Sequence, residues 1–197
     1  MKRFFCGFGV ALFFAFPFPA QGATPLATIE ANVNRVLEVL CDPALKAESA
    51  KEAKKEKIRA ISDEMFDQKE LSKRTLARNW DKLTADQQQQ FSHLYRQVLE
   101  KVYMDKILSY TNQKIVFDKA NVLGPDRAEV ETRIIASSQE IPIMYRVILK
   151  DGAWKVYDVV IEGVSLVQNY RSQFNELLAK NSPEQVLEIL RKKVQET

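Results

Sequence analysis

Apolar residues recur every third or fourth position through the N-terminal half of the chain and every second position through its middle, so helices precede strands. From Pro25 onward, Ile29, Val33, Val36, Leu37 and Leu40 fall on one helical stripe. Thr24 before Pro25 supplies a cap and a first-turn proline, and Pro43 stops the helix. Residues 44–65 predict a second helix, charged over residues 51–57, with Ile58, Ile61, Met65 and Phe66 gathered near its end. Asp67 with Glu70, and Thr84 with Gln87, have capping-box spacing; they predict a short helix through Arg78 and a long one over 85–110. On the long helix Phe91, Leu94, Tyr95, Val98, Leu99, Val102, Tyr103 and Ile107 make one wide stripe.

The middle of the chain predicts four strands, over residues 114–122, 128–137, 141–150 and 153–163, with connections short enough for an antiparallel sheet. Asp151-Gly152 suits a two-residue type I′ turn, which sets Leu149 opposite Trp154, Val147 opposite Val156, Tyr145 opposite Asp158 and Ile143 opposite Val160. One face of that hairpin is then almost wholly apolar. The other carries Met144, Arg146, Ile148, Lys155, Tyr157 and Val159, and a slip of one residue would exchange the two. Residues 166–179 return to helical spacing through Leu166, Tyr170, Phe174 and Leu177, and Asn181 is placed to end that helix. Ser182-Pro183-Glu184-Gln185 then caps a last one built on Val186, Leu187 and Leu190. Helices, then strands, then helices predict an α+β fold with a four-stranded antiparallel sheet.

Composition adds a compartment. Lys2 and Arg3 precede an uncharged apolar run over residues 4–19 and then Ala20-Gln21-Gly22, the order of a secretory signal peptide, with cleavage expected after Gly22. The run is broken by Pro17 and Pro19 and falls short of the roughly 20 residues of a spanning helix. Cys6 stands ahead of the run's end, so it does not suggest lipidation. Residues 1–22 are therefore read as the signal peptide and 23–197 as a single domain, large enough to enclose a guest. The chain has 29 Lys and Arg against 26 Asp and Glu; without Lys2 and Arg3 it is close to neutral, which gives no field for nucleic acid. Cys41 is then the only cysteine left, so no internal disulfide can form and the core must carry stability alone.

Candidate chemistry is sparse. His93 is the only histidine and stands in a polar helical stretch, which excludes a histidine metal cluster and leaves no Ser-His-Asp arrangement. CxxC, HExxH, GxSxG and phosphate-cradling glycine motifs are absent. No catalytic residue, metal ligand or cofactor is assigned. Asp158 is the exception worth weighing, because the expected register puts it on the apolar face between Val156 and Val160. A buried carboxylate must be paired or protonated. It is either a structural group bonded to a backbone amide, Arg171 or Tyr170, or a general base in an apolar pocket; the structural role is preferred.

The stretch from Trp154 through Asp158, Gly163, Val164, Ser165 and Tyr170 to Phe174 resembles the signature segment of the toluene-tolerance, or MlaC-type, family of periplasmic lipid-binding proteins. Leu76-Ala-Arg-Asn-Trp80, Leu83-Thr84, Gln90-Phe91 and the segment from Leu99 to Tyr103 resemble the family's helical portion in the same order. Ala77-Arg78 departs from the leucine-glycine turn expected there. The resemblance implies a soluble, monomeric periplasmic carrier of phospholipid, working between an outer-membrane lipoprotein complex and an inner-membrane ABC transporter and so maintaining outer-membrane asymmetry. It also implies an antiparallel sheet covered by several helices, with an apolar cavity between sheet and helices that holds the acyl chains. On the helices the candidate walls are Leu99, Tyr103, Ile107, Tyr170, Phe174 and Leu177. On the sheet they are Ile143, Tyr145, Val147, Trp154, Val156 and Val160. Beside the phospholipid carrier stand a carrier of hopanoid or another apolar lipid, an isomerase-like enzyme using Asp158, and a lipid-free adaptor. Arg133, Arg146 and Arg171 are candidate neighbours of a lipid phosphate, with a structural or solvent-facing role preferred for each.

The leader predicts that amino-terminal sequencing of the secreted protein starts near Ala23. An intact Met1 on membrane-embedded protein would instead make the chain an anchored one.

Overall fold

Thr24 accepts a hydrogen bond from the Ala27 amide through its Oγ1 (3.2 Å) and opens α1, Pro25–Cys41. The computed structural model describes residues 23–136 and 139–195; the expected signal peptide, and Ser137 at the end of the second expected strand, lie outside the described residues. Asp42 and Pro43 stop α1 as expected, but the next helix starts late. Two 3₁₀ turns, Pro43–Leu45 and Glu48–Ala50, intervene before α2, Lys51–Met65. The backbone of Ala44 is taken by the Asp42 side chain (2.9 Å), a local bond that competes with helix.

Asp67 caps α3, Gln68–Leu76, by accepting from the Glu70 amide at 2.9 Å. Thr84 and Gln87 form the full reciprocal capping box of α4, Ala85–Leu108. After the sheet come α5, Leu166–Lys180, capped by Ser165, and α6, Pro183–Gln195, where Ser182 and Gln185 again cap reciprocally.

The sheet has five strands, not the four expected: β1 Lys114–Val122, β2 Arg127–Ala136, β3 Gln139–Lys150, β4 Ala153–Ile161 and β5 Val164–Ser165, in that spatial order and antiparallel throughout. The fifth arises because the last expected strand does not run on to Gly163. Glu162 and Gly163 take φ of 50° and 81°, a tight turn that folds Val164 and Ser165 back beside Ile161 and Val160. Asp151 and Gly152 form the expected turn of the same kind, with φ of 51° and 79°.

The expected register holds only near that turn, where Leu149 faces Trp154 and Val147 faces Val156. Tyr157 is then an extra residue in β4, so Asp158 faces Arg146, Val159 faces Tyr145, Val160 faces Met144 and Ile161 faces Ile143. The pairings Tyr145 with Asp158 and Ile143 with Val160 are thereby corrected. A ladder without the bulge would drive the Asp158 carboxylate into the apolar face; the bulge exchanges it for Val159.

Two apolar cores result. One joins α3, α4, α5 and α6 through Leu71, Leu76, Trp80, Phe91, Tyr95, Phe174 and their neighbours. The other lies between α1, the end of α2 and one sheet face, built on Ile29, Met65, Ala128, Val130, Val147, Val156 and Val159. Phe66 packs at the edge of both. It bridges Val156 in parallel while the Asp67 amide donates to the Val156 carbonyl (2.9 Å), so the α2–α3 link is stitched to the edge of β4.

Between α3 and the following 3₁₀ turn, Ala77–Lys82, Ala77 adopts φ 48° and ψ −123°. The strain that Cβ imposes in this glycine region is of order 1–3 kcal/mol, against roughly 0.5–1 kcal/mol of extra chain entropy lost by glycine. Ala77→Gly is therefore expected to stabilise the protein by about 1 kcal/mol, raising Tm by ~2–4 °C in a thermal scan.

Candidate functional site

The sheet face that looks toward α1 is apolar along its whole length, but it is not evenly covered. Ala128, Val130, Val147 and Val156, at the end under α1 and Met65, have no exposed surface. Toward the other end, Ile115, Ile134 and Ile141 stand in one row across β1, β2 and β3, beside Phe117, Ile143 and Tyr145, and all six are only half-buried. Enough protein surrounds the Tyr145 phenol for burial to push its pKa up to about 12, partly offset by neighbouring Thr132, yet the side chain still carries accessible surface. Ile115, Phe117, Ile134 and Ile141 were legible from alternation in the strands, although the sequence-based wall took its sheet residues from the second hairpin alone.

The twelve candidate wall residues do not form one surface. Ile143, Tyr145, Val147, Trp154 and Val156 share the apolar sheet face. Val160 does not: the bulge places it with Met144 and Asp158 on the opposite face, where Val159 had been expected. Tyr170 and Phe174 are interior to the helical core, their rings packed edge-on against Tyr95 and Phe91, and Leu99 and Leu177 flank that core. Leu177 also borders an open concavity of about 290 Å³ with Gln173, Glu176 and Lys180. Tyr103 is half-buried with its phenol pKa raised by burial, and Ile107 is 37% exposed. Val159 and Ile161, which join the apolar face, were missed because alternation cannot anticipate a bulge.

The opposite sheet face is a lattice of charges. Arg133 is held by Asp118 (2.7 and 2.9 Å) and Glu140 (2.9 Å), and Arg146 by Glu129 (3.0 Å) and Asp158 (3.1 Å). Arg171 instead donates to the Arg74 carbonyl at 2.7 and 3.1 Å. All three arginines are thus engaged by protein groups.

Asp158 is 2% exposed and fully bonded. Its Oδ2 accepts from Ser165 Oγ (2.6 Å) and Arg146 Nη1 (3.1 Å), and its Oδ1 accepts from the Val167 amide (3.0 Å). Ser165 Oγ in turn accepts from the Gln168 amide (3.0 Å), so two side chains satisfy the first amides of α5, where the helix dipole favours an anion. The expected partners Arg171 and Tyr170 are not used; a backbone amide is. With three donors on its two oxygens and the apolar face on the other side of the sheet, this carboxylate forms a structural junction between β4 and α5. Among the described residues, no group of three or more His, Cys, Asp or Glu is arranged to hold a metal, and no helix is long and apolar enough to cross a membrane.

Asp158→Asn keeps the shape but removes the charge facing Arg146 and turns one acceptor into a donor against Ser165 or Arg146. A loss of roughly 1–3 kcal/mol is expected in urea unfolding, with the m-value unchanged.

Comparison with known proteins places this geometry. The profile described as MlaC protein matches residues 30–192. The toluene tolerance protein ttg2D of Pseudomonas putida is 29% identical over 101 residues, covering 51% of this chain and 47% of that protein. The intermembrane phospholipid transport system binding protein MlaC of Haemophilus influenzae is 31% identical over 91 residues, covering 44% and 42%. The matched stretches thus span less than half of each relative. A phospholipid-binding protein from Ralstonia solanacearum, solved in complex with a phospholipid, has the same fold: TM-score 0.77 and 23% identity, over 88% of this chain and 98% of that one. The match over residues 30–192 takes in α1 after its first turn, the whole sheet, the Asp158 junction and most of α6, and the chain belongs to the MlaC family.

Proposed function

We propose that this protein is a non-enzymatic phospholipid carrier of the periplasm, exported by its signal peptide and working as a monomer between an outer-membrane lipoprotein complex and an inner-membrane ABC transporter to maintain outer-membrane asymmetry. The single observation that carries the reading is the half-covered apolar sheet face, where Ile115, Phe117, Ile134, Ile141, Ile143 and Tyr145 keep accessible surface beside the fully buried Ala128, Val130, Val147 and Val156. Acyl chains laid on that face, between the sheet and the helices, complete the burial that side chains leave unfinished. Membership of the MlaC family and the phospholipid bound by the Ralstonia protein support the choice of guest.

The energetics suit a carrier. Two acyl chains of about 30 methylenes, at ~0.8 kcal/mol each, represent roughly 20 kcal/mol of gross transfer from water. Release into water is then very slow, and unloading requires a partner that offers another apolar site. The isomerase-like alternative loses its base, because the Asp158 oxygens are occupied and face away from the apolar surface.

Solvent extraction of protein purified from cells is expected to yield phospholipid, whereas an extract with none would favour the lipid-free adaptor. Ile143→Glu, on the half-covered face, is expected to lose that lipid while retaining its circular dichroism. Met144→Glu, one residue along on the charged face, is expected to keep it. Equal lipid content in the two variants would remove the sheet face as the binding surface.

A further inference from the structure

Helices α2 and α4 are neighbours that pack on other things. α2 rests on α1 and reaches β4, while α4 rests on α6 and α3. A row of charges links them, and Ile58 and Ile61 of α2 and Met104 of α4 are buried as well. Asp63 of α2 accepts from Arg96 of α4 at 3.1 Å. One turn back along α2, Arg59 grips Glu100, with Nε 2.9 and 3.0 Å from the two carboxylate oxygens and Nη2 on Oε1, while Nη1 takes Glu56. Arg96 also lies 3.9 Å from Glu100, so Asp63, Arg96, Glu100 and Arg59 form a continuous chain of charges to which each helix supplies one arginine and one carboxylate at i,i+4. One further turn back, the Glu52 hydrogen bond, with Asp105 and Glu100 of α4 adding to it, holds the Lys55 ammonium above its usual pKa. Partners descend on α2 as they ascend on α4, so the helices run antiparallel with an ionic seam along their length.

The position of this seam matters. Tyr103 and Ile107, three and seven residues beyond Glu100, follow these charges on the same side of α4, half-buried and 37% exposed. Behind α2 lies the apolar sheet face, which α2 joins through Met65. The end of α2 is pinned to β4 by Phe66 and by the Asp67 amide, so an opening movement of the helix would turn about that point. A seam closed by apolar side chains resists opening in proportion to the area it would expose to water. One closed by partly exposed ion pairs opens at smaller cost, because each charge regains its hydration. In this chain of charges the Arg59, Glu100, Arg96 and Asp63 side chains keep 27%, 21%, 22% and 47% of their surface.

We propose that the α2–α4 seam is the entrance of the lipid site: a charged clasp that holds the α1–α2 pair shut over the sheet face and parts to admit and release acyl chains. The proposal rests on the carrier function above and adds its route of exchange. Breaking the clasp speeds exchange without removing any wall of the site.

The test is transfer of a fluorescent phosphatidylethanolamine from the loaded protein to excess neutral phosphatidylcholine vesicles. Arg59→Glu sets like charges against Glu100 and Glu56, and is expected to raise the transfer rate about tenfold, equivalent to about 1.4 kcal/mol of barrier. The charge-exchanged pair Arg59→Glu with Glu100→Arg is expected to return within about threefold of the unmodified protein. The unmodified protein's own rate is expected to rise between about 0.05 M and about 0.5 M NaCl as the pairs are screened. An Arg59→Glu protein that is folded, loaded and no faster overturns the proposal. Should that variant not fold, a salt-independent rate of the unmodified protein overturns it equally. A protein that takes up no fluorescent lipid at all fails at the carrier function instead, an outcome told apart from the others by loading measured before transfer.

Discussion

The Asp158 carboxylate is the point on which the arrangement of sheet and helices depends. Its two oxygens gather an arginine from β3, the hydroxyl that caps α5 and an amide of α5 itself. A buried anion in this position is tolerable only because those donors surround it, and α5 starts where it does because that anion satisfies its first turn. The bulge at Tyr157 turns Asp158 toward these partners and hands its place on the apolar face to Val159. One inserted residue thus keeps that face free of charge and fixes the direction in which the chain leaves the sheet.

That direction divides the molecule. α5 carries Tyr170 and Phe174 away from the sheet to meet Phe91 and Tyr95, and the four helices around them fill their own core. The sheet face is left to α1 and the end of α2, which cover it fully near Ala128 and Val147 and only partly near Ile134 and Ile143. An apolar face must be buried against something. In the proposed function, a phospholipid supplies what the helices do not.

A carrier has to reconcile burying its guest with giving it up. In the proposed carrier the two demands fall on different kinds of contact: apolar area on the sheet, which resists water strongly, and ion pairs between α2 and α4, which water can replace. The proposed clasp places the cost of opening in the weaker kind. The outer sheet face, with Arg133 and Arg146 each shared between carboxylates, keeps the opposite side polar.

Much of this was legible in the sequence because it is local. Caps at Thr24, Asp67, Thr84 and Ser182 are side-chain-to-backbone bonds within three residues, the Asp151-Gly152 turn is a matter of two φ values, and the order of helices and strands follows from apolar spacing. The membership of the family was carried by the segment from Trp154 to Phe174, whose Asp158 and Ser165 do structural work at one junction. What alternation could not supply was the bulge at Tyr157, since a strand's period says nothing about a residue left out of the ladder, and so Asp158, Val159 and Val160 were assigned to the wrong faces. Nor could the stripe on α4 and α5 reveal that Tyr170 and Phe174 pack among helices while Ile143 and Tyr145 face the sheet's open end. The i,i+4 charges of Arg59, Asp63, Arg96 and Glu100 were visible one helix at a time; only the tertiary fold set those helices edge to edge, because pairing between elements distant in sequence is decided by the packing of the whole chain.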